Sequence, residues 1–187
     1  MPILILARHG QSHGNLDYSL GPDTTLTDLG REQARRLGSW LAGQDYHFTA
    51  IYASPLQRAR QTAEIINGHF GLEIQVDPDL CETEHPYLEV LPQRQSPLDR
   101  EPPPPFESEY EQMRRRVARA TTRILEENLE GKVLVSAHAG TLGTMLRGIL
   151  NCHAMVVHTE LAAVHGLAWE DGRWTLQYTN HRDHLRG

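Results

Sequence analysis

Ile3 to Ala7 is a short, nearly continuous apolar run rich in branched residues, the pattern of a strand covered on both faces. Ala50 to Ala53, Glu73 to Val76 and Val133 to Val135 read as further short strands. Between them the apolar period lengthens. Leu26, Leu29, Ala34, Leu37 and Leu41 recur at spacings of three to five, and Thr27 can cap, which predicts a helix over 27–42. Ser54-Pro55-Leu56-Gln57 predicts a second helix, with Ser54 as N-cap, Pro55 in the first position and a buried stripe of Leu56, Ala59, Ala63, Ile66 and Phe70. Met113, Val117, Ala120, Ile124 and Leu129 mark a third, from about 107 to 129, and Leu142, Met145, Leu146 and Ile149 a fourth. Two β-rich runs, Ala163 to Trp169 and Trp174 to Tyr178, flank Asp171-Gly172 and predict a hairpin. The proline-rich stretch from Asp77 to Pro105 reads as loop. Strands that alternate with helices predict an α/β fold, with a mostly parallel central sheet and helices on both faces. No linker or repeat divides the 187 residues, so 1–187 reads as a single domain.

Composition narrows the partners. A net charge of −6 and a pI of about 6.0 argue against a broad basic surface for nucleic acid or anionic lipid. The run Arg114-Arg115-Arg116 lies among Glu109, Glu111, Glu126 and Glu127 and reads as a solvated, salt-bridged helix face. Lys132 is the only lysine and lies outside any Gly-x-x-x-x-Gly-Lys loop, which removes the P-loop reading. No apolar run approaches the ~18 residues of a membrane span, and the first apolar run meets Arg8 too early for a signal peptide. The two cysteines, Cys81 and Cys152, form neither a disulfide framework nor a Cys-x-x-Cys site. A cytoplasmic location is expected. The tail strands could supply an edge for a homodimer.

In open α/β sheets ligands bind beyond the carboxyl ends of the strands. The first strand ends in Arg8-His9-Gly10, the second leads through Ser54-Pro55 to Arg58, the third leads to the segment from Asp77 to Glu84, and the fourth ends at His138. Two histidines, two arginines and several carboxylates therefore meet at one edge. Arginine donates paired hydrogen bonds to phosphoryl oxygens and neutral imidazole can attack phosphorus, so the set points to phosphate chemistry. Helix N-termini after Ser54 and near Gly140 would add partial positive charge. Metal ligation is the rival use of histidine. His9 and His13 have ligand spacing, but they fall in a Gly-rich loop beside arginines that would repel a divalent ion, so neither metal nor cofactor is expected.

These residues, in this order, resemble the histidine phosphatase superfamily, also called the phosphoglycerate mutase-like family. The resemblance rests on Arg8-His9-Gly10-Gln11-Ser12-x-x-Asn15, Asp23-x-x-Leu26-Thr27-x-x-Gly30 with Gln33-Ala34, and Ser54-Pro55-Leu56-x-Arg58-Ala59-x-Gln61-Thr62-Ala63. Leu80-x-Glu82, Val135-Ser136-x-His138 and a closing Asn180-x-x-x-His184-Leu185 extend it along nearly the whole chain. It implies a phosphoglycerate mutase-like fold and phosphoryl transfer through a phosphohistidine, without metal. His9 would be the nucleophile, oriented by a backbone carbonyl at its other ring nitrogen. Arg8, Arg58 and His138 would bind the phosphoryl oxygens, with Asn15, Ser12 and Ala139 completing the phosphate pocket. Glu82 would be the proton donor, with Glu84 as its rival. Arg94, Arg100, Glu84, His85 and Tyr87 lie in the loop expected to cover the pocket, which makes Arg94 and Arg100 candidates for a substrate cover. The chain departs from the family pattern after the acid, where Pro86, Leu88, Glu89 and Val90 stand, and at Ala139, where glycine is common.

The expected activity is metal-independent hydrolysis of a small phosphorylated metabolite. The resemblance implies this because family members that are mutases usually carry a longer insertion between the acid and the long helix, so the shorter segment here leaves water access. A 2,3-bisphosphoglycerate-dependent phosphoglycerate mutase and a non-catalytic phospho-ligand binding module are the alternatives.

Overall fold

The computed structural model describes residues 2–44, 46–83, 89, 91–100, 102 and 108–186. Its strands are β1 (Ile3–Arg8), β2 (Ala50–Ala53), β3 (Ile74–Val76), β4 (Lys132–Ala137), β5 (Val164–Glu170) and β6 (Arg173–His181). The helices are α1 (His13–Leu16), α2 (Asp28–Gly43), α3 (Gln57–Asn67), α4 (Glu109–Glu127) and α5 (Ala139–Leu150). The strands form one mixed sheet in the order β3-β2-β4-β1-β5-β6. The first four are parallel, and β5 and β6 run antiparallel as the hairpin that Asp171-Gly172 predicts, with both turn residues at positive φ (50° and 76°).

The continuous apolar runs of the central strands reflect two buried faces. Along β1, Leu4 and Leu6 pack with Met113 and Val117 of α4 and with Leu142 and Met145 of α5. Ile5 and Ala7, pointing the other way, pack with Leu37 and Leu41 of α2 and with Ala63 and Ile66 of α3. The register pairs Arg8 with Ala137 and Ala53 with Ser136, so the parallel strands end at one level and deliver their following residues to one edge. Because β5 is antiparallel, Val164 at its start lies beside Ala7. The segment entering β5 thus joins the same edge, which the sequence reading did not foresee.

Several local expectations change. α3 starts at Gln57, not at Pro55, because Leu56 is extended (φ −67°, ψ 136°). Ser54 does not cap it: its hydroxyl is shared by the Leu56 N–H and His138, while Asp23 accepts from the Gln57 N–H at 2.7 Å. α2 turns Gly30, Ala34, Leu37, Gly38 and Leu41 inward, leaving Leu29 exposed, and Leu129 lies exposed beyond the end of α4. The loop reading of 77–105 is broken by a 3-10 turn, Pro78–Leu80, with Asp77 capping it. Arg114 and Arg115 pair with Glu111 as a salt-bridged face should, but Arg116 is not part of that face and donates instead to the Asp79 and Cys81 carbonyls.

The loop after His9 lies directly against α2. A Cβ on Gly30 would stand 1.9 Å from the Gln11 carbonyl oxygen, and one on Gly10 2.4 Å from that of Gly30. Only two glycines allow this approach. No helix among the described residues is long and apolar enough to cross a membrane.

Candidate active site

His9 follows β1 and is 2% exposed. Its Nδ1 lies 2.7 Å from the carbonyl oxygen of Gly10, which can only accept, so the proton resides on Nδ1 and the lone pair on Nε2. That lone pair accepts from Arg58 Nε at 3.1 Å. Burial, and then the charges of Arg8 and Arg58, hold the His9 imidazole well below its ordinary pKa. The ring is therefore neutral over a wide pH range, with a lone pair pointed at a guanidinium.

Neighbouring elements hold the loop in place. The Gly10 N–H donates to Thr62 Oγ1, the Gln11 N–H to Gln33 Oε1, and the Leu26 N–H to Gln61 Oε1. Arg58 reaches His9 from the first turn of α3, and its Nη1 donates to the Pro22 carbonyl. Arg8 Nη1 donates to the Thr159 carbonyl at 2.6 Å, and the Arg8 N–H to that of Ala163 at 3.0 Å. The Ala162 N–H donates to the His9 carbonyl from a left-handed conformation, φ 56°, so the approach to β5 grips both catalytic candidates by their backbone.

His138 follows β4 at the N-cap position of α5, its ring centroid 5.1 Å from that of His9. Its Nε2 is 2.8 Å from Ser54 Oγ, and its buried Nδ1 has no partner among the described residues. Burial, followed by the charges of His9, Arg58, Arg8 and Arg116, keeps it well below the usual histidine range. Glu82 faces the start of α5. One carboxylate oxygen accepts from the Gly140 N–H at 3.1 Å, and the other from the Thr83 N–H at 3.1 Å and Thr141 Oγ1 at 3.4 Å. Burial pushes its pKa above the usual carboxylate value, against the opposing pull of those N–H groups and of Arg8 and Arg58.

The other candidates are more scattered. Asn15 Oδ1 accepts from both the N–H and the hydroxyl of Ser12, which makes the pair a capping box for α1 and turns the Ser12 hydroxyl onto Asn15. Ala139 is the first residue of α5. Arg94 and Arg100 are exposed, and Arg94 lines a cavity shared with Cys152 and Met155. Glu84, His85 and Tyr87 lie outside the described residues. Among the described residues, no group of three or more His, Cys, Asp or Glu side chains could hold a metal ion. Sequence reasoning missed Ser54 as the partner of His138, Asp23 as the cap of α3, and the Thr159–Ala163 segment. Asp23 opens the Asp23-x-x-Leu26-Thr27 motif, whereas Thr159 to Ala162 precede the β-rich run and carry no local signal.

His165 supports that segment. Its Nε2 meets Thr159 Oγ1 and its Nδ1 meets Thr179 Oγ1, and burial lowers its pKa to about 4. The unfolded chain binds this proton near pH 6.5 and the folded chain only near 4, so stability rises with pH across that interval and is lost as pH falls through it. The expected contribution is about 3 kcal/mol, and in urea unfolding from pH 7 to 4 the His165→Asn variant should show a shallower decline than the parent.

The chain belongs to the histidine phosphatase superfamily (branch 1), whose pattern matches residues 4–182. It is 28% identical over 194 residues to PhoE of Bacillus subtilis, a protein called an uncharacterized phosphatase, covering 100% of this chain and 98% of the relative. A 2,3-bisphosphoglycerate-dependent phosphoglycerate mutase of Methylorubrum extorquens is 43% identical over 76 residues, 38% of this chain and 36% of that protein. The fold is shared with a phosphoserine phosphatase of Entamoeba histolytica solved with 3-phosphoglyceric acid, at a TM-score of 0.77 and 24% identity over 99% of this chain and 100% of that one.

Proposed function

We propose that the protein hydrolyses a small phosphomonoester in two steps through a phosphohistidine on His9, with no metal ion. The observation that carries this reading is the neutral His9 ring, proton fixed on Nδ1 by Gly10 and Nε2 lone pair held among Arg58, Arg8 and His138. On binding, the phosphoryl oxygens replace the lone pair as the partner of Arg58, and Arg8 adds a second cation. Ser54 donating to Nε2 of His138 leaves Nδ1–H as a further donor, and the Asn15 amide nitrogen serves likewise because its oxygen is committed to Ser12. His9 Nε2 then bonds to phosphorus as the ester P–O bond breaks, and Glu82 gives its proton to the departing alkoxide. In the second step Glu82 takes a proton from the attacking water and the N–P bond breaks, which returns His9 and releases phosphate. Arg8 and Arg58 supply the charge that an ion would otherwise bring, and the neutral His138 adds a hydrogen-bond donor.

Full-length likeness to a protein named as a phosphatase supports hydrolysis over mutase transfer. The test is a screen of sugar phosphates, phosphoglycerates, nucleotides and phosphoamino acids with chelator present, followed by trapping with labelled substrate. The expected result is phosphate release insensitive to chelator, with acid-labile, base-stable label on His9. Label on His138, or activity restored only by a metal, would overturn the reading; exchange of phosphate between phosphoglycerates without net release would favour the mutase.

A further inference from the structure

α4 carries five arginines, and four have carboxylate partners. Arg114 and Arg115 pair with Glu111, Arg119 with Asp79, and Arg123 with Asp77 and Asp79. Arg116 has none among the described residues. Its helical neighbours at three and four positions are Gln112, Met113, Arg119 and Ala120, which offer no acid. Its Nη1 instead donates to two backbone carbonyls, Asp79 at 2.8 Å and Cys81 at 2.7 Å. These flank the end of the 3-10 turn that leads from β3 into Glu82. The Cys81 carbonyl takes a second bond, from Thr141 Oγ1 at 2.9 Å, and Thr141 also reaches the Glu82 carboxylate. The peptide immediately before Glu82 is thus held between α4 and α5, while among the described residues the carboxyl itself is bound by its own neighbour Thr83 and by α5.

We propose that Arg116 is a positioning residue for proton donation: by fixing the Asp79 and Cys81 carbonyls it sets where the Glu82 carboxyl stands relative to the leaving oxygen. The inference rests on the reading of Glu82 as the general acid. A charged donor suits the task because bonds from an ionised group to a carbonyl are stronger than neutral ones, and a single Nη1 bridging two carbonyls locks the turn geometry as well as its place. Misplacement of a catalytic group by about 1 Å costs on the order of 10²-fold, so the effect should fall on proton transfer and leave phosphoryl binding intact.

The experiment compares Arg116→Gln, Arg116→Lys, Glu82→Gln and the double variant Glu82→Gln/Arg116→Gln on an alkyl phosphate and on nitrophenyl phosphate, with circular dichroism melts of each. Arg119→Gln, which removes an exposed ion pair on the same turn, serves as the structural control. The expected result for Arg116→Gln is a loss in kcat of about 10- to 100-fold on the alkyl phosphate, less than about threefold on nitrophenyl phosphate, and little change in KM. Lysine should restore part of the loss, Arg119→Gln should match the parent, and the double variant should be no slower than Glu82→Gln alone. Equal losses on both substrates, a loss confined to KM, or an additive double variant would overturn the positioning role. If Glu82→Gln is itself insensitive to the leaving group, the general-acid reading fails first; if Glu82→Gln is sensitive and Arg116→Gln is not, only the inference about Arg116 fails.

Discussion

Replacement of His9 by alanine is expected to lower turnover by about 10⁴-fold or more, because in the proposed mechanism it removes the atom that bonds to phosphorus and no other neutral imidazole holds the same place. Gly10 orients His9 Nε2 through the opposite ring nitrogen, whereas the corresponding nitrogen of His138 is already engaged with Ser54. His138→Ala removes a donor to the transferring group and should cost less, about 10²- to 10³-fold, the scale for a single group that stabilises developing charge. Single-turnover kinetics with labelled substrate separate the two: His9→Ala should give neither burst nor labelled protein, and His138→Ala should give slow but detectable labelling. Labelled protein in His9→Ala at a rate comparable to the parent would move the nucleophile elsewhere.

The second large effect concerns Glu82. Glu82→Gln should slow hydrolysis of alkyl phosphates by about 10²- to 10⁴-fold and that of nitrophenyl phosphate far less, since the nitrophenolate needs little protonation to leave. As the proposed acid, Glu82 must be protonated to act, and burial raises its pKa, so the proton persists to a higher pH than on an ordinary carboxyl. As the proposed nucleophile, His9 must be neutral, and burial with two arginines lowers its pKa, so it is ready at a lower pH than an ordinary histidine. Both shifts favour the pair of states the step needs, a protonated acid and a neutral nucleophile. The rate on alkyl phosphates should fall as pH rises through the Glu82 titration, and Glu82→Gln should flatten that limb while leaving the acid limb in place. Glu84→Gln is expected to be mild. The reverse pattern, a leaving-group-dependent loss at Glu84 with equal losses at Glu82, would transfer the role by two residues.

What could be read without coordinates follows from how locally each signal is encoded. A strand buried on both faces needs an unbroken apolar run, and a helix over a sheet needs an apolar stripe, so β1, β2, β4, α2, α4 and α5 stand out in the chain itself. The rule that parallel strands present their carboxyl ends together then brings Arg8, His9, Arg58, Glu82 and His138 to one edge, and the register of β1, β2 and β4 does so. Arg116 did not stand out in this way, since the run Arg114-Arg115-Arg116 reads as one salt-bridged face while Arg116 turns to the Asp79 and Cys81 carbonyls.

Other features depend on contacts between distant segments, and a local pattern cannot report them. Ser54 followed by Pro55 looks like a helix cap, yet His138, 84 positions away, competes for its hydroxyl, and Asp23 caps the helix in its place. The left-handed turn at Ala162 has no glycine to announce it, because the bond to His9 and the antiparallel entry of β5 impose it from outside. Protonation is decided the same way. The residue types His9 and Glu82 belong to the sequence, but the neutral imidazole arises from burial and then the charges of Arg8 and Arg58, and the raised carboxyl from burial alone, against the pull of those two arginines. The chain by itself determined which groups arrive at the edge of the sheet; the tertiary structure decided which atoms of those groups are held, which are left open and which carry a proton, because solvent exclusion and long-range hydrogen bonds exist only once the layers have closed.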